Sequence, residues 1–501
     1  MKNWLYIIIC FSLLGSCRTE EDKKVHETLI VAGSNRLELE KVLKHYENDS
    51  LKLQAARYLI GNMAHHFTLK EFFVSPEKVK YALDITKFAN EDEVRGHCAS
   101  LVERGYTYHK EELNDSRVLK SDFLIRNIDL AFQVWKKPWA KDVPFMDFCR
   151  YILPYRVQKE SVSGLRETFM KRYIPLLDSA GVTNTFDACM LLNRQLKKEI
   201  KYKETGNPFY PTIEETDCVR IGTCAALCNY GTFVMRACGI PVAVQQTIWT
   251  KMDMEHVWCA VLYNGKFYDF GPGDDQPDIY RHKLVTTRYL KPAKVYRQRF
   301  DPYIKSSSVK DDGFVSDLKS SLLEDVTAEG ENIPVNFCVK ADKNGSDGGR
   351  KQVYLCAYNY YQWRPLAIGV KSGDSCYFEC VVGHNIFIVA EAAGGNKLRF
   401  LTAPFYLNGE GNIRKFIPDT IQAEYLILEK KKEEQCRVLH YWDLSQDDFI
   451  PISCDSILSD TTQLYTHIPA NALLWYTTVQ KNLGQRVGFI QNDSLKRTID
   501  F

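Results

Sequence analysis

The chain has 501 residues, 45% of them hydrophobic, and its 65 Lys and Arg against 63 Asp and Glu leave a formal charge of +2. That length suits about three domains of usual size. The balanced charge, with no basic run interleaved with aromatics, speaks against nucleic acid as a partner. Sixteen cysteines lack Cys-x-x-Cys spacing, and Cys189, Cys238, Cys338 and Cys356 fall in apolar runs, so they read as buried thiols, not as a disulfide framework. The adjacent pair His65-His66 points its side chains apart on any regular element and has no carboxylate cluster beside it, so no metal or cofactor is expected.

Met1-Lys2-Asn3 is a positive start, residues 4–14 are apolar, and Leu14-Gly15-Ser16-Cys17 is a small-residue cleavage site. The apolar run is too short to span a bilayer as a permanent helix. The four residues ending at Cys17 resemble the lipobox of bacterial lipoproteins. That resemblance implies a signal peptide over 1–16, lipidation of Cys17, and a mature chain anchored in the outer membrane facing periplasm or surface. Glu20-Glu21-Asp22 resembles the acidic signals that send some lipoproteins outward. Residues 17–155 then read as a helical domain. Asn35 with Glu38 resembles a capping box. Leu39, Val42, Leu43 and Tyr46 form one helical face, Leu51, Ala55, Tyr58 and Leu59 another, and 121–135 repeats the pattern. The aromatic stretch 135–156 either walls a cleft beside the next domain or packs this domain onto it, and packing is favoured.

Residues 156–303 hold the chemistry. Residues 224–237, with Ala225, Leu227, Cys228, Phe233, Val234 and Ala237, read as a largely buried helix. Thr223 is an N-cap, Gly239 a C-terminal cap, and Pro241 stops continuation. Cys224 therefore sits in the first turn, where free N–H groups and the helix dipole favour a thiolate and can face an oxyanion. Residues 242–248 and 256–263 read as strands, the second with His256, Trp258, Ala260 and Leu262 on one face. Asn264-Gly265 is a hairpin turn, and 266–270 returns with Asp269. A nucleophilic thiol needs a base, and the base needs a group that orients it, so Cys224, His256 and Asp269 are the candidate catalytic set. A two-residue turn pairs Tyr263 with Lys266 and Ala260 with Asp269. It leaves His256 four residues further along, about 13 Å on an ideal strand, so Asp269 is the strained member of the set.

Gly222-x-Cys224, Gly239-Ile240-Pro241, His256-x-Trp258 and Asp269 together resemble the transglutaminase-like family, over roughly residues 196–280. The resemblance implies a papain-like Cys-His-Asp core, a helix against an antiparallel sheet, with thioester chemistry on amide bonds. It also implies a protein, peptide or glycopeptide substrate. Water as acceptor makes a protease, peptidase or amidase, and an amine makes a cross-linking transglutaminase; water is the favoured acceptor here. Asp269 is followed by Phe270-Gly271-Pro272, where the family often has Pro and a small residue, and Asp274 and Asp275 are alternatives for it. Trp249 and Trp258 are candidate substrate-binding residues. The reading from another class is an inactive core of this type serving a surface glycan- or protein-binding lipoprotein.

Residues 304–332 read as a polar linker with one short helix at 316–323. From 333 the pattern changes to short strands at 335–339, 352–358, 366–370, 376–382, 385–390 and 398–403, which favours a β-sandwich over 333–418. Strands at 425–428, 436–442 and 473–479 make 419–501 a second β-rich module or an extension. Tyr360-Tyr361-Gln362-Trp363 stands at a strand end, either as a platform for a sugar ring or as an ordinary aromatic corner. The fold class expected is α+β: a helical N-terminal domain, a papain-like core and C-terminal β domains.

Overall fold

The computed structural model of the chain describes residues 20–251, 253–277, 291–303, 312–314, 316–343, 351–429, 438–459, 462–477, 487–491 and 494–497. Cys17 and residues 1–16, the expected leader, lie outside them. The protein mixes helices with several antiparallel sheets, in line with the α+β expectation. No helix among the described residues is long and apolar enough to cross a membrane.

The N-terminal region is helical in its main mass, through Glu20–Val31, Arg36–His45, Ser50–Asn62 and Ser121–Trp135. It also carries a three-stranded antiparallel sheet, Lys80–Tyr81, Phe67–Val74 and Thr107–Asn114, that the sequence pattern does not predict. Thr107–Asn114 is mostly solvent-exposed, so it lacks the period-two alternation by which a half-buried strand is read. The capping box at Asn35 is also absent. Asn35 has helical backbone angles, φ −82 and ψ −3, because one helical run passes through a 3-10 turn into the next. Its side-chain amide donates instead to the carbonyls of Ser116 and Leu119 at 3.0 and 2.7 Å. Glu38 accepts from the N–H and hydroxyl of Ser121. Leu51, expected on a packed face, is 40% exposed at the start of its helix.

One apolar cluster runs from Val25 to Phe300, across the border expected at 155. The stretch 135–156 packs as expected: Trp139 is buried and its Nε1 donates to the carbonyl of Cys238 at 2.8 Å. Arg156 forms a fully buried pair with Asp115 at 2.7 Å, and Tyr155 also donates to that carboxylate. Breaking such a pair leaves one charge unpaired in the core.

The central helix, Cys224–Ala237, is buried on all sides from Ala226 onward. Thr223 caps its start, its hydroxyl accepting from the N–H of Ala226. Gly239, at φ +80, ends it: its N–H donates to Arg236 and that of Ile240 to Met235, as in a Schellman motif. The helix packs on a five-stranded sheet ordered Leu323–Asp325, Tyr296–Gln298, Val242–Ile248, Glu255–Tyr263 and Lys266–Phe270. The hairpin has the expected register, Tyr263 with Lys266 and Ala260 with Asp269. Its turn residues, Asn264 and Gly265, have φ +50 and +72. The short helix expected at 316–323 is instead a single 3-10 turn, Asp317–Lys319, leading into the edge strand Leu323–Asp325.

The strands of 334–415 hydrogen-bond into one eight-stranded sheet where two stacked sheets are expected. Lys415 Nζ donates to the carbonyl of Lys340 at 2.7 Å, which brings the two end strands together around one core. Lys351–Asn359 sends Val353, Leu355 and Ala357 into that core and Tyr354, Cys356 and Tyr358 out of it. The outward set meets Trp442, Phe449 and Phe489 of the sheets formed by 419–497. Among the described residues every cysteine is a free thiol. Most are buried, but Cys338, expected inside, is exposed on the outer face of the strand Pro334–Lys340.

His65 and His66 do diverge: His65 is exposed, whereas His66 is buried, stacked on Phe300 at 4.1 Å and 2.8 Å from that residue's carbonyl. Burial holds the His66 imidazole down to about 3. A base that must stay neutral in the folded state stabilises fully above its ordinary value, and that contribution drains away as pH falls toward the folded value. Denaturant unfolding should therefore lose about 2 kcal/mol from this residue between pH 7 and pH 5, and His66→Leu should flatten that slope. An equal acid slope in both proteins would contradict the assignment.

Candidate active site

The thiol of Cys224 is half-buried at the open end of the central helix. A Cβ at Gly222 would stand 2.7 Å from that of Ala226, so glycine there lets the chain enter the helix tightly. The segment Lys201–Tyr202 runs parallel to Ile221–Gly222, and Lys203 N–H donates to the Gly222 carbonyl at 3.1 Å, which lays 201–204 along the thiol's approach. Burial raises the thiol above its ordinary value. Backbone hydrogen bonding from Val257, Ala225 and Cys224 itself pulls it back, while the Glu204 carboxylate pushes it up. The sulfur therefore rests against Val257, the residue after His256.

The strand Glu255–Tyr263 has two faces with different neighbours. Cys259 turns toward the helix: its sulfur is 3.2 Å from Thr232 Oγ1, and the thiol of Cys228 donates to the Val257 carbonyl at 3.3 Å. By alternation, His256 and Trp258 belong to the other face. There the imidazole lies between two indoles, 5.6 Å from Trp249 and 5.7 Å from Trp258, both stacked. Burial lowers His256 to about 4. Trp249 and Trp258 are each 1% exposed, so in this state they contact the imidazole and the residues packed behind it, Val295 and Val326.

Asp269 is half-buried on the same face of the sheet as His256, in a crevice with Gln245, Trp258, Phe267 and Glu329. Its strand partner is Ala260, four residues from His256. Extending the ladder past its last pair, Cys259 with Phe270, gives Gly271 and Gly273 beside Trp258 and His256, not carboxylates. Gly271 and Asp275 close a turn pinned by Asn193, whose amide donates to both their carbonyls at 3.2 and 3.3 Å. The backbone thus brings Cys224 to the start of the histidine strand and sets Asp269 further along it.

A cavity of about 560 Å³ opens beside this point, walled by Ala225, His256 and Val257 and continuing past Tyr210, Tyr296 and Arg364. Its walls come from the helical region, the central sheet, the segment 314–323 and the β domain. No cluster of metal-ligating side chains occurs among the described residues.

Sequence reasoning missed the share of the β domain in this site. Asn359 donates to the carbonyls of Trp249 and Met254 at 2.7 and 3.1 Å, and Glu255 pairs with Arg364. Lys294, 2% exposed, donates to the carbonyls of Glu379 and Cys380 and pairs with Asp325. The aromatic corner at 360–363 was the one visible signal, and nothing local says what it touches.

No family model matches the chain, and no curated protein matches it. Among solved structures it is similar to a candidate cysteine protease from Cytophaga hutchinsonii, at 15% identity and a TM-score of 0.19. The match takes in 22% of this chain and 36% of that one. So small an overlap carries nothing across, and the chemistry has to come from this chain's own residues.

With the thiol raised and the imidazole lowered, both rest neutral near pH 7. Alkylation of Cys224 by iodoacetamide should therefore climb about tenfold per pH unit and still be rising at pH 9.0. A flat profile reaching down to pH 6 would instead mean a resting thiolate–imidazolium pair.

Proposed function

We propose that the protein is a thiol-dependent acyl-transfer enzyme that hydrolyses an amide bond in a protein, peptide or glycopeptide through a thioester on Cys224. The observation that carries this reading is the thiol in the first turn of a buried helix, its proton affinity pulled down by backbone hydrogen bonding, next to Ala225, which with His256 walls a cavity of about 560 Å³. In this scheme the sulfur bonds to the carbonyl carbon while the thiol proton passes to His256. The oxyanion turns to the N–H groups at the helix start. The imidazolium then protonates the leaving amine as the C–N bond breaks, and water, deprotonated by His256, resolves the thioester. Because His256 rests neutral, it is ready to take a proton, and transfer coincides with attack. Asp269 is the weakest part of the scheme, since its register sets it four residues from the ring.

A second reading has support from that same register and from the low-lying imidazole. On it, the core is an inactive scaffold and the β domains bind glycan or protein. Cys224→Ala and His256→Ala separate the two. The enzyme reading expects Cys224→Ala to melt like wild type and both variants, while folded, to lose hydrolysis of any substrate found, by about a thousandfold or more for the nucleophile. Full turnover by folded Cys224→Ala would falsify it.

The residues ending at Cys17 support a lipid-anchored location at the outer membrane, facing periplasm or surface. Mass spectrometry of the membrane-extracted chain should find an acylated N-terminal Cys17, and Cys17→Ala should move the protein to the soluble fraction. A soluble, unmodified wild-type chain rules the anchor out.

A further inference from the structure

The loop joining the two middle strands of the central sheet is held by the β domain. Asn359, the last residue of the strand Lys351–Asn359, is 0% exposed. Its amide donates to the carbonyl of Trp249 at 2.7 Å and to that of Met254 at 3.1 Å, and Trp249 N–H donates to Met254 at 3.1 Å. One buried side chain therefore ties both ends of the loop together. The remaining points follow in order along the loop. Thr250 Oγ1 donates to Asn385 at 2.5 Å, Asp253 accepts from Tyr360 N–H at 3.3 Å, and Glu255 pairs with Arg364.

The hairpin tip that makes these contacts is conformationally unfavourable. Asn359 pairs with Gln362, which leaves a two-residue turn of Tyr360 and Tyr361 at φ +50 and +62. Such turns ordinarily take asparagine and glycine, because side chains with a bulky Cβ crowd the backbone at positive φ. Residues kept in such a conformation are held by their surroundings and concentrate at functional sites.

We infer that Asn359 is a positioning residue for His256, so that the β domain is a working part of the thiol site. The path is short. Asn359 fixes the carbonyl of Trp249, whose indole stacks on the imidazole, and fixes Met254, two residues before His256. Without that tie the indole would leave the imidazole and the start of the strand would shift, and a small misplacement of a base is expensive in rate. This inference rests on the proposed thiol chemistry, but its first readout does not.

That readout is the ring of His256 in the full chain, observed by NMR of histidine-labelled protein and assigned with His256→Gln. In wild type the ring should titrate near 4. In Asn359→Ala the indole sandwich loosens, water reaches the ring, and the midpoint should move up by more than one pH unit toward 6.5. Asn359→Ser keeps one donor and should shift it less; it also serves if the alanine variant does not fold. Leu439→Ala, in the distal core formed by 426–495, should lower the melting temperature and leave the ring unchanged. An unchanged midpoint in folded Asn359 variants overturns the inference. The second readout is acylation of Cys224 by an activated peptide ester at pH 7.5, which should fall at least tenfold in Asn359→Ala. A wild-type Cys224 acylated no faster than exposed Cys218 sinks the enzyme reading instead, and the ring titration then decides the positioning role alone.

Discussion

The burial of the central helix on every side constrains everything else in this protein. From Ala226 to Ala237 no residue of Cys224–Ala237 faces solvent, so the helix cannot slide or rotate without opening the core. Its two ends are fixed separately, by Thr223 at the start and Gly239 at the finish. What remains is one open end carrying a thiol. The helix-side face of the sheet meets that end at Val257, so the sulfur and the start of the histidine strand are held together by backbone packing, not by flexible side chains. The position of the sulfur is thereby set by the fold.

The second constraint acts on the imidazole. Two buried indoles hold His256 on the opposite face of the same strand, and their burial depresses its proton affinity. Thiol and imidazole thus share a strand end but not a common environment. A neutral pair at rest follows, and charge develops only when a carbonyl arrives to accept the sulfur. The loop that carries the indole stack is tied to the C-terminal sheet through Asn359. Three separate parts of the chain, the helical region, the central sheet and the β domain, therefore wall one cavity.

Much of this was legible in the sequence wherever a local rule has a local cause. Asn264-Gly265 dictated a two-residue turn, and the turn dictated the register down to Ala260 with Asp269. Thr223, Gly239 and Pro241 bounded the central helix for the same reason, since caps are satisfied by neighbours in the chain. The strand Thr107–Asn114 was invisible because it is solvated on both faces and shows no alternation. The false capping box at Asn35 had the right residues, but its groups found partners more than 80 positions away, at Ser116, Leu119 and Ser121. The closing of the strands of 334–415 around a single core, and the docking of Asn359 on Trp249, are likewise long-range. No spacing of residues announces them.

The central claim is that Cys224 is the nucleophile, and the competition among the chain's own thiols tests it most directly. Cys218, Cys338 and Cys454 are exposed and free, whereas Cys224 is half-buried. Simple access therefore favours the three exposed thiols, and only catalysis favours Cys224. Incubation of the full chain at pH 7.5 with a panel of activated peptide esters, followed by acid quench and peptide mapping, locates the trapped acyl group. The account predicts a thioester on Cys224, formed faster than on any exposed cysteine and lost in His256→Ala. Acyl groups spread over Cys218, Cys338 and Cys454 with Cys224 unmodified would contradict it.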